Sequence, residues 1–294
     1  MNKWVSYCNA NDVDVLSPNI SQALDFLSKL FSMNASYSTI NTAKSALSSF
    51  LHLDTDIPFG KLPIVKRFMK GIFEQRPTFP RHQDIWDLKP VFDHFRSQHG
   101  AANLTLKELS MKTTFLLCLL SGQRCQTIKL LNIDHMDVMA DRYIFHVNSK
   151  VKQTRPGKHI NPLEFIAYPS EESLCVVSHL NEYIRKTSSF RKDGMKQLLL
   201  AFNKPHNPVS TDTISRWVKQ VLLSAGVDTS KFKAHSVRSA STSHLAKLNV
   251  NIQDIIKSVG WSSEKTFQQF YNKPVEQTFN FGRTILQSLA DDQE

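Results

Sequence analysis

The chain has 294 residues, too many for one small domain and enough for one large or two moderate ones. Its hydrophobic fraction of 41% supports a buried core, and its formal charge of +10 suits a polyanionic partner, although a basic protein that binds no nucleic acid fits the same number. The four cysteines lie apart with no C-x-x-C pair, which argues against a zinc site or a disulfide framework and suits a reducing compartment.

Taken in chain order, the first part reads as helical. Ile20, Ala23, Leu24, Leu27, Leu30 and Phe31 recur at helical spacing. Ser36 to Thr39 can cap a second helix carrying Ile40, Ala43, Ala46, Leu47, Phe50 and Leu51, and Ile64 to Phe73 makes a third. The segment Arg76-Pro77-Thr78-Phe79-Pro80-Arg81 denies backbone donors and favours extended geometry, so a linker is expected near residue 80. Lys61, Lys66, Arg67, Lys70, Arg76 and Arg81 cluster around it against the single acid Glu74. A solvated face is the ordinary reading of such a run, and a grip on a polyanion backbone is the functional one.

After the linker, Leu106 to Leu120 predicts a strongly apolar helix that Ser121-Gly122 breaks, with another starting at Gln123. Its longest apolar run, Phe115 to Leu120, is too short to cross a bilayer, and Met1 to Val5 has no secretory pattern, so no membrane role and an intracellular location are expected. Tyr143 to Val147 reads as a strand, residues 148–159 as a basic turn, and Ile160 to Ile166 as the returning strand. Ser210-Thr211-Asp212 caps a helix bearing Ile214, Trp217, Val218, Val221 and Leu222, which Gly226 can end. From His235 onward the pattern is helical, with breaks at Asn249, Gly260 and Pro274. The expected architecture is mainly α with one small antiparallel sheet, in two domains at 1–80 and 81–294.

Four places bear groups suited to phosphate chemistry. Arg124 follows the Gly122 break and so sits at a helix N-terminus, where an anion is favoured; an ordinary surface arginine is the plain alternative. His235 and Arg238 are three apart on one helix, an imidazole and a guanidinium fork suited to growing phosphate charge, although such pairs also arise by chance. Trp261 follows Gly260 and reads first as a core tryptophan under a turn, with an indole donor that needs a partner when buried. Phe267, Phe270 and Tyr271 form an apolar stripe; a structural tyrosine is the simple reading, and a phenol nucleophile the functional one, which needs nearby cations because tyrosine ordinarily ionises near ~10.

The order is more specific than the parts. An arginine, a hairpin lysine, H-x-x-R, a Gly followed by His or Trp, and then a tyrosine is the pattern of the tyrosine recombinase (phage integrase-like) family, which this sequence resembles over roughly residues 15–275. Trp261 follows Arg238 by 23 residues, the family's gap, and Tyr271 follows Trp261 by 10, one more than is commonest. Ile85-Trp86-Asp87, Lys152 to Gly157 and Phe270 to Val275 look like recombinases of DIRS-type retrotransposons and related mobile elements. The resemblance implies a helical core-binding (SAM-like) domain before the linker and a tyrosine-recombinase catalytic domain after it. It implies site-specific DNA cleavage and rejoining, with Tyr271 as nucleophile, Arg124, His235, Arg238 and Trp261 around the phosphate, and a hairpin lysine, Lys152 or its neighbour Lys150, as general acid. Lys66, Arg67, Lys70, Arg81, Lys150, Arg155 and Lys158 are the expected backbone contacts on double-stranded DNA. No metal or other cofactor is implied, the working assembly is a homo-tetramer, and a eukaryotic host would place the chain in the nucleus. Phe279, Ile285, Leu286 and Leu289 would serve a C-terminal helix that docks on a neighbour or on its own domain. Two rivals stand beside this: a non-catalytic DNA-binding protein derived from such a recombinase, and a type IB topoisomerase, which the helical domain and Trp261 disfavour.

Overall fold

The computed structural model describes residues 2–77, 85–151, 154, 156–157, 159–192, 194–261, 264 and 267. The chain divides into two compact units, Met1–Arg81 and His82–Glu294.

The first unit is helical: α1 (Asn2–Asn11), α2 (Ile20–Ser32), α3 (Tyr37–Phe50) and α4 (Pro63–Gln75). Local chemistry sets the ends. Asn19 and Gln22 form a reciprocal capping box before α2, and Ser36 accepts from the Thr39 amide before α3. Apolar side chains from every helix meet in one core, including Trp4, Phe26, Leu27, Ile40, Leu47, Phe59, Val65 and Met69. Trp4 lies edge-on to Phe26 at 5.1 Å and donates its indole N–H to the Val15 carbonyl at 2.9 Å, so its polar end is satisfied. On α4, Val65, Met69 and Ile72 are buried while Lys66, Arg67 and Lys70 face solvent. Arg76 departs from the basic cluster in which the sequence places it. Its guanidinium donates to the Ala35 carbonyl (2.7 Å) and the Phe31 carbonyl (3.3 Å) and lies 4.2 Å over the Phe31 ring. The open carbonyls at the end of α2 attract the cation inward, so Arg76 caps a helix.

The second unit begins with α5 (Lys89–Arg96) and α6 (Leu106–Ser121). Thr105 and Glu108 make the capping box of α6. From Leu109 to Leu119 nearly every side chain of α6 is buried, so this helix is a core element with neighbours on all sides. Helix α7 (Cys125–Lys129) follows it; then come β1 (Met136–Val138), β2 (Arg142–Phe145) and β3 (Leu163–Ile166), an antiparallel sheet in the order β1-β2-β3. Tyr143 opposes Phe165 and Phe145 opposes Leu163, all four buried, which is the inward half of a period-two pattern. The expected strand at Tyr143 to Val147 is thus seen one residue earlier and shorter, and β1 is an addition. Helices α8 (Val176–Thr187) and α9 (Thr211–Ser224) pack on α6. Ser210 caps α9 by accepting from the Thr213 amide. The last described elements are α10 (Ser236–Lys247) and α11 (Ile252–Val259), separated by Asn249 at φ 58. The fold is therefore mainly helical with a small antiparallel sheet. Among the described residues, no helix is long and apolar enough to cross a membrane.

Candidate active site

Three helix ends meet at Arg238. Gly122 stops α6 in the left-handed region at φ 58, and Gly260 stops α11 likewise at φ 72. Glycine suits both turns because it lacks the Cβ that disfavours positive φ. Arg238, in the first turn of α10, donates from Nη1 to the Gly122 carbonyl (2.7 Å) and from Nη2 to the Val259 carbonyl (3.1 Å). Its guanidinium lies 4.7 Å over the Trp261 ring, and the residue is 2% exposed. A cation near the start of its own helix is mildly disfavoured, but here it meets the carbonyl ends of two others, where positive charge is favoured. The planar fork reaches both carbonyls at once.

The other expected groups are placed as follows. Arg124 is the N-cap residue of α7 with extended backbone (φ −77, ψ 151), two residues beyond the carbonyl that Arg238 holds. Its Nη1 is buried with no hydrogen-bond partner among the described residues. His235 is the N-cap of α10 and is exposed, whereas Arg238 in the same motif is buried, so the pair shares a helix face but not a surface. Trp261 is 7% exposed and packs with Ile255, Ile256, Val259 and Phe267, its ring 5.5 Å from that of Phe267. Lys150 is exposed between β2 and β3. Lys66, Arg67 and Lys70 lie on the first unit's α4. Arg81, Lys152, Arg155, Lys158, Tyr271 and the C-terminal apolar residues Phe279, Ile285, Leu286 and Leu289 lie outside the described residues.

Several supports were not signalled by the sequence. Gln123 donates from Nε2 to the Ser258 carbonyl (3.3 Å), and Ser241 donates to the Leu119 carbonyl (2.7 Å), so α6, α10 and α11 are tied by more than Arg238. The Trp86 indole donates to Ser236 Oγ at 2.9 Å and so fixes the first residue of α10 from the start of the unit. These bonds join residues more than 100 positions apart, and no local pattern marks them. Among the described residues, no group of three or more His, Cys, Asp or Glu side chains is placed to hold a metal ion.

The unit is mostly helical with a small antiparallel sheet, and its fold is similar to that of solved DNA recombinases. The chain aligns with XerH site-specific recombinase bound to a palindromic difH substrate, at 12% identity and a TM-score of 0.57, covering 94% of this chain and 73% of that one. A lambda integrase dimer bound to a COC′ core site aligns at 12% identity and a TM-score of 0.54, covering 94% and 89%. The Tn1549 transposon integrase in complex with transposon right end DNA aligns at 15% identity and a TM-score of 0.54, covering 92% and 85%. No curated protein sequence matches the chain. The phage integrase family profile matches residues 98–277, and the chain belongs to that family.

Proposed function

We propose that this chain is a tyrosine recombinase that cuts and rejoins double-stranded DNA through a covalent 3′-phosphotyrosyl intermediate. The observation that carries the reading is the meeting of the Arg124 turn, the His235–Arg238 helix and the Gly260–Trp261 turn around one guanidinium. Family membership and the recombinase fold support it.

In this reading the Tyr271 phenol attacks the scissile phosphorus and expels the 5′-oxygen. Arg124 and Arg238 carry the charge that grows on the non-bridging oxygens. The buried Nη1 of Arg124 is the donor a phosphate oxygen would satisfy. His235 accepts the phenol proton or orients the phosphate, and Trp261 buttresses the site without moving a proton. Lys152, or Lys150 beside it, protonates the leaving 5′-oxygen. A 5′-hydroxyl from a partner strand then attacks the phosphotyrosine and restores the backbone. The phosphoester energy is kept throughout, so neither ATP nor a metal ion enters the balance. Units 1–80 and 81–294 act as a DNA-clamping domain and a catalytic domain, with Lys66, Arg67, Lys70, Arg81, Arg155 and Lys158 on backbone phosphates, in a homo-tetramer during strand exchange. The phrases around Ile85, Lys152 and Phe270 support an origin in a DIRS-type or related mobile element, acting in the nucleus of a eukaryotic host.

One observation favours the second reading, a DNA-binding protein without catalysis: Arg238 is buried and holds backbone carbonyls. The two readings part in one assay. Nicked duplexes with a randomised core are incubated with the chain in EDTA without ATP. The recombinase reading predicts a denaturant-stable protein–DNA adduct that Tyr271→Phe abolishes. DNA binding with no adduct would overturn it in favour of the second reading.

A further inference from the structure

We propose that Trp86 is a positioning residue for His235, acting through a hydrogen bond to the neighbouring residue Ser236. The consequence for cleavage rests on the recombinase reading, whereas the hold on His235 does not.

Helix α10 starts without a side-chain cap, since its N-cap residue His235 makes no such bond. First turns of this kind leave amide groups open and fray more readily than capped ones. Yet this turn carries both His235 and Arg238. Arg238 is fixed from outside the helix by its bonds to the Gly122 and Val259 carbonyls. At the start of the motif, Trp86 supplies a tie from outside. Its indole Nε1 donates to Ser236 Oγ at 2.9 Å, across 150 positions of sequence. The Ser236 amide also donates to the Lys233 carbonyl at 2.7 Å. Ser236 is therefore held by side chain and by backbone, which restrains the peptide joining it to His235.

Trp86 is suited to be the fixed end of this tie. It is buried, as are Ile85 before it and Leu88 after it. Its ring lies 6.4 Å from that of Phe115 in α6, and Phe115 meets Phe95 of α5 edge-on at 5.6 Å. Asp87 accepts from the Lys89 amide at 3.1 Å and fixes the chain just beyond. The need of a buried indole for an acceptor accounts for a bond to some oxygen. It does not account for an acceptor that lies inside the His-x-x-Arg motif, next to an exposed His235. An imidazole that takes a proton from a phenol or orients a phosphate works in one geometry, which begins with its backbone. A displacement of about 1 Å in such a group costs on the order of 10²-fold in rate. In the Ile85-Trp86-Asp87 segment, then, the flanking residues anchor the indole and the indole anchors the imidazole's helix.

The test uses the intact chain and its variants. Ser236→Ala removes the acceptor, Trp86→Phe removes the donor and keeps an aromatic ring, and Ser236→Thr keeps the hydroxyl. Adduct formation is timed on nicked duplexes at saturating DNA, and affinity is measured separately. Ser236→Ala and Trp86→Phe should each slow the saturated step on the order of 10²-fold with affinity unchanged. The double variant should be no slower than the slower single one, and Ser236→Thr should stay close to the parent. A bond with a structural role alone would lower the urea midpoint and leave the saturated rate of the folded chain where it was. The second readout is the His235 ring resonance in histidine-labelled protein, assigned with His235→Gln. It should shift or broaden in Ser236→Ala and keep its place in Ser236→Thr. An unchanged saturated rate overturns the proposal, as does a loss confined to affinity or an unmoved His235 resonance in Ser236→Ala. If the parent forms no adduct, the recombinase reading fails, and the ring resonance still decides whether Trp86 holds His235.

Discussion

The Arg238 guanidinium is 2% exposed and bridges the Gly122 and Val259 carbonyls, whereas Nη1 of Arg124 is buried without a partner among the described residues. The first side chain therefore contributes to stability as well as charge, whereas no such bond is seen for Nη1 of the second among the described residues. Replacing each by lysine separates the roles, because lysine keeps the charge and loses the fork. Arg238→Lys should lower the unfolding free energy by about 2–4 kcal/mol, since two charged hydrogen bonds are lost or misaligned. Arg124→Lys should stay within about 0.5 kcal/mol of the parent. Urea denaturation of both variants checks this; equal effects would contradict it. Part of the site was legible as an ordered set: the backbone at Gly122, two residues before Arg124, meets Arg238 and Trp261. The burial of Arg238 was not legible, because its carbonyl partners come from turns 116 and 21 positions away.

At the scale of elements, the site is a junction of ends, and Gly122 is its tightest point. A Cβ there would lie 2.8 Å from Val259 Cγ1, at a φ of 58 that side chains other than glycine rarely adopt. Gly122→Ala should cost about 2 kcal/mol from the overlap and the backbone together. Combining it with Val259→Ala should relieve the steric part, so the two costs should fall short of additive in a urea double-mutant cycle. Helix α8 supplies a pH test. Burial, with a smaller contribution from Lys112, holds His179 down at about 4 from an ordinary 6.5. The unfolded chain takes up this proton below pH 6.5 while the folded one resists it. Stability should thus be full above about pH 6.5 and fall by about 3 kcal/mol as pH drops toward 4. His179→Gln should flatten most of that slope; a parallel slope in both proteins would contradict the assignment.

The same elements show why some of the fold was readable and some was not. Helices α2, α3, α6 and α9 carry both a cap and a wide apolar face, and all four were expected. Helices α8 and α5 lack a side-chain cap, and α5 has only eight residues, so little local signal announced them. Strand β1 is three residues long with no buried member, and its existence depends on pairing with β2. Its signal is tertiary.

For the whole molecule, the two units have separate cores. Lys66, Arg67 and Lys70 are exposed on α4, although Lys70 also stands 3.6 Å from Glu74 in an exposed pair of little energetic weight. If the three contact phosphates, replacing all three by alanine should reduce the slope of log affinity against log salt by about 2–3. An unchanged slope would remove α4 from the DNA surface.

The central claim, that this chain stores a broken phosphodiester on one tyrosine, is tested most directly by mass spectrometry. The adduct trapped on nicked duplexes is digested with nuclease and protease, and the residue bearing the nucleotide is read. The account predicts a 3′-phosphoryl nucleotide on Tyr271, lost in Tyr271→Phe and weakened sharply in Arg124→Lys. A nucleotide on any other residue, or none from a chain that binds the same DNA, would contradict it.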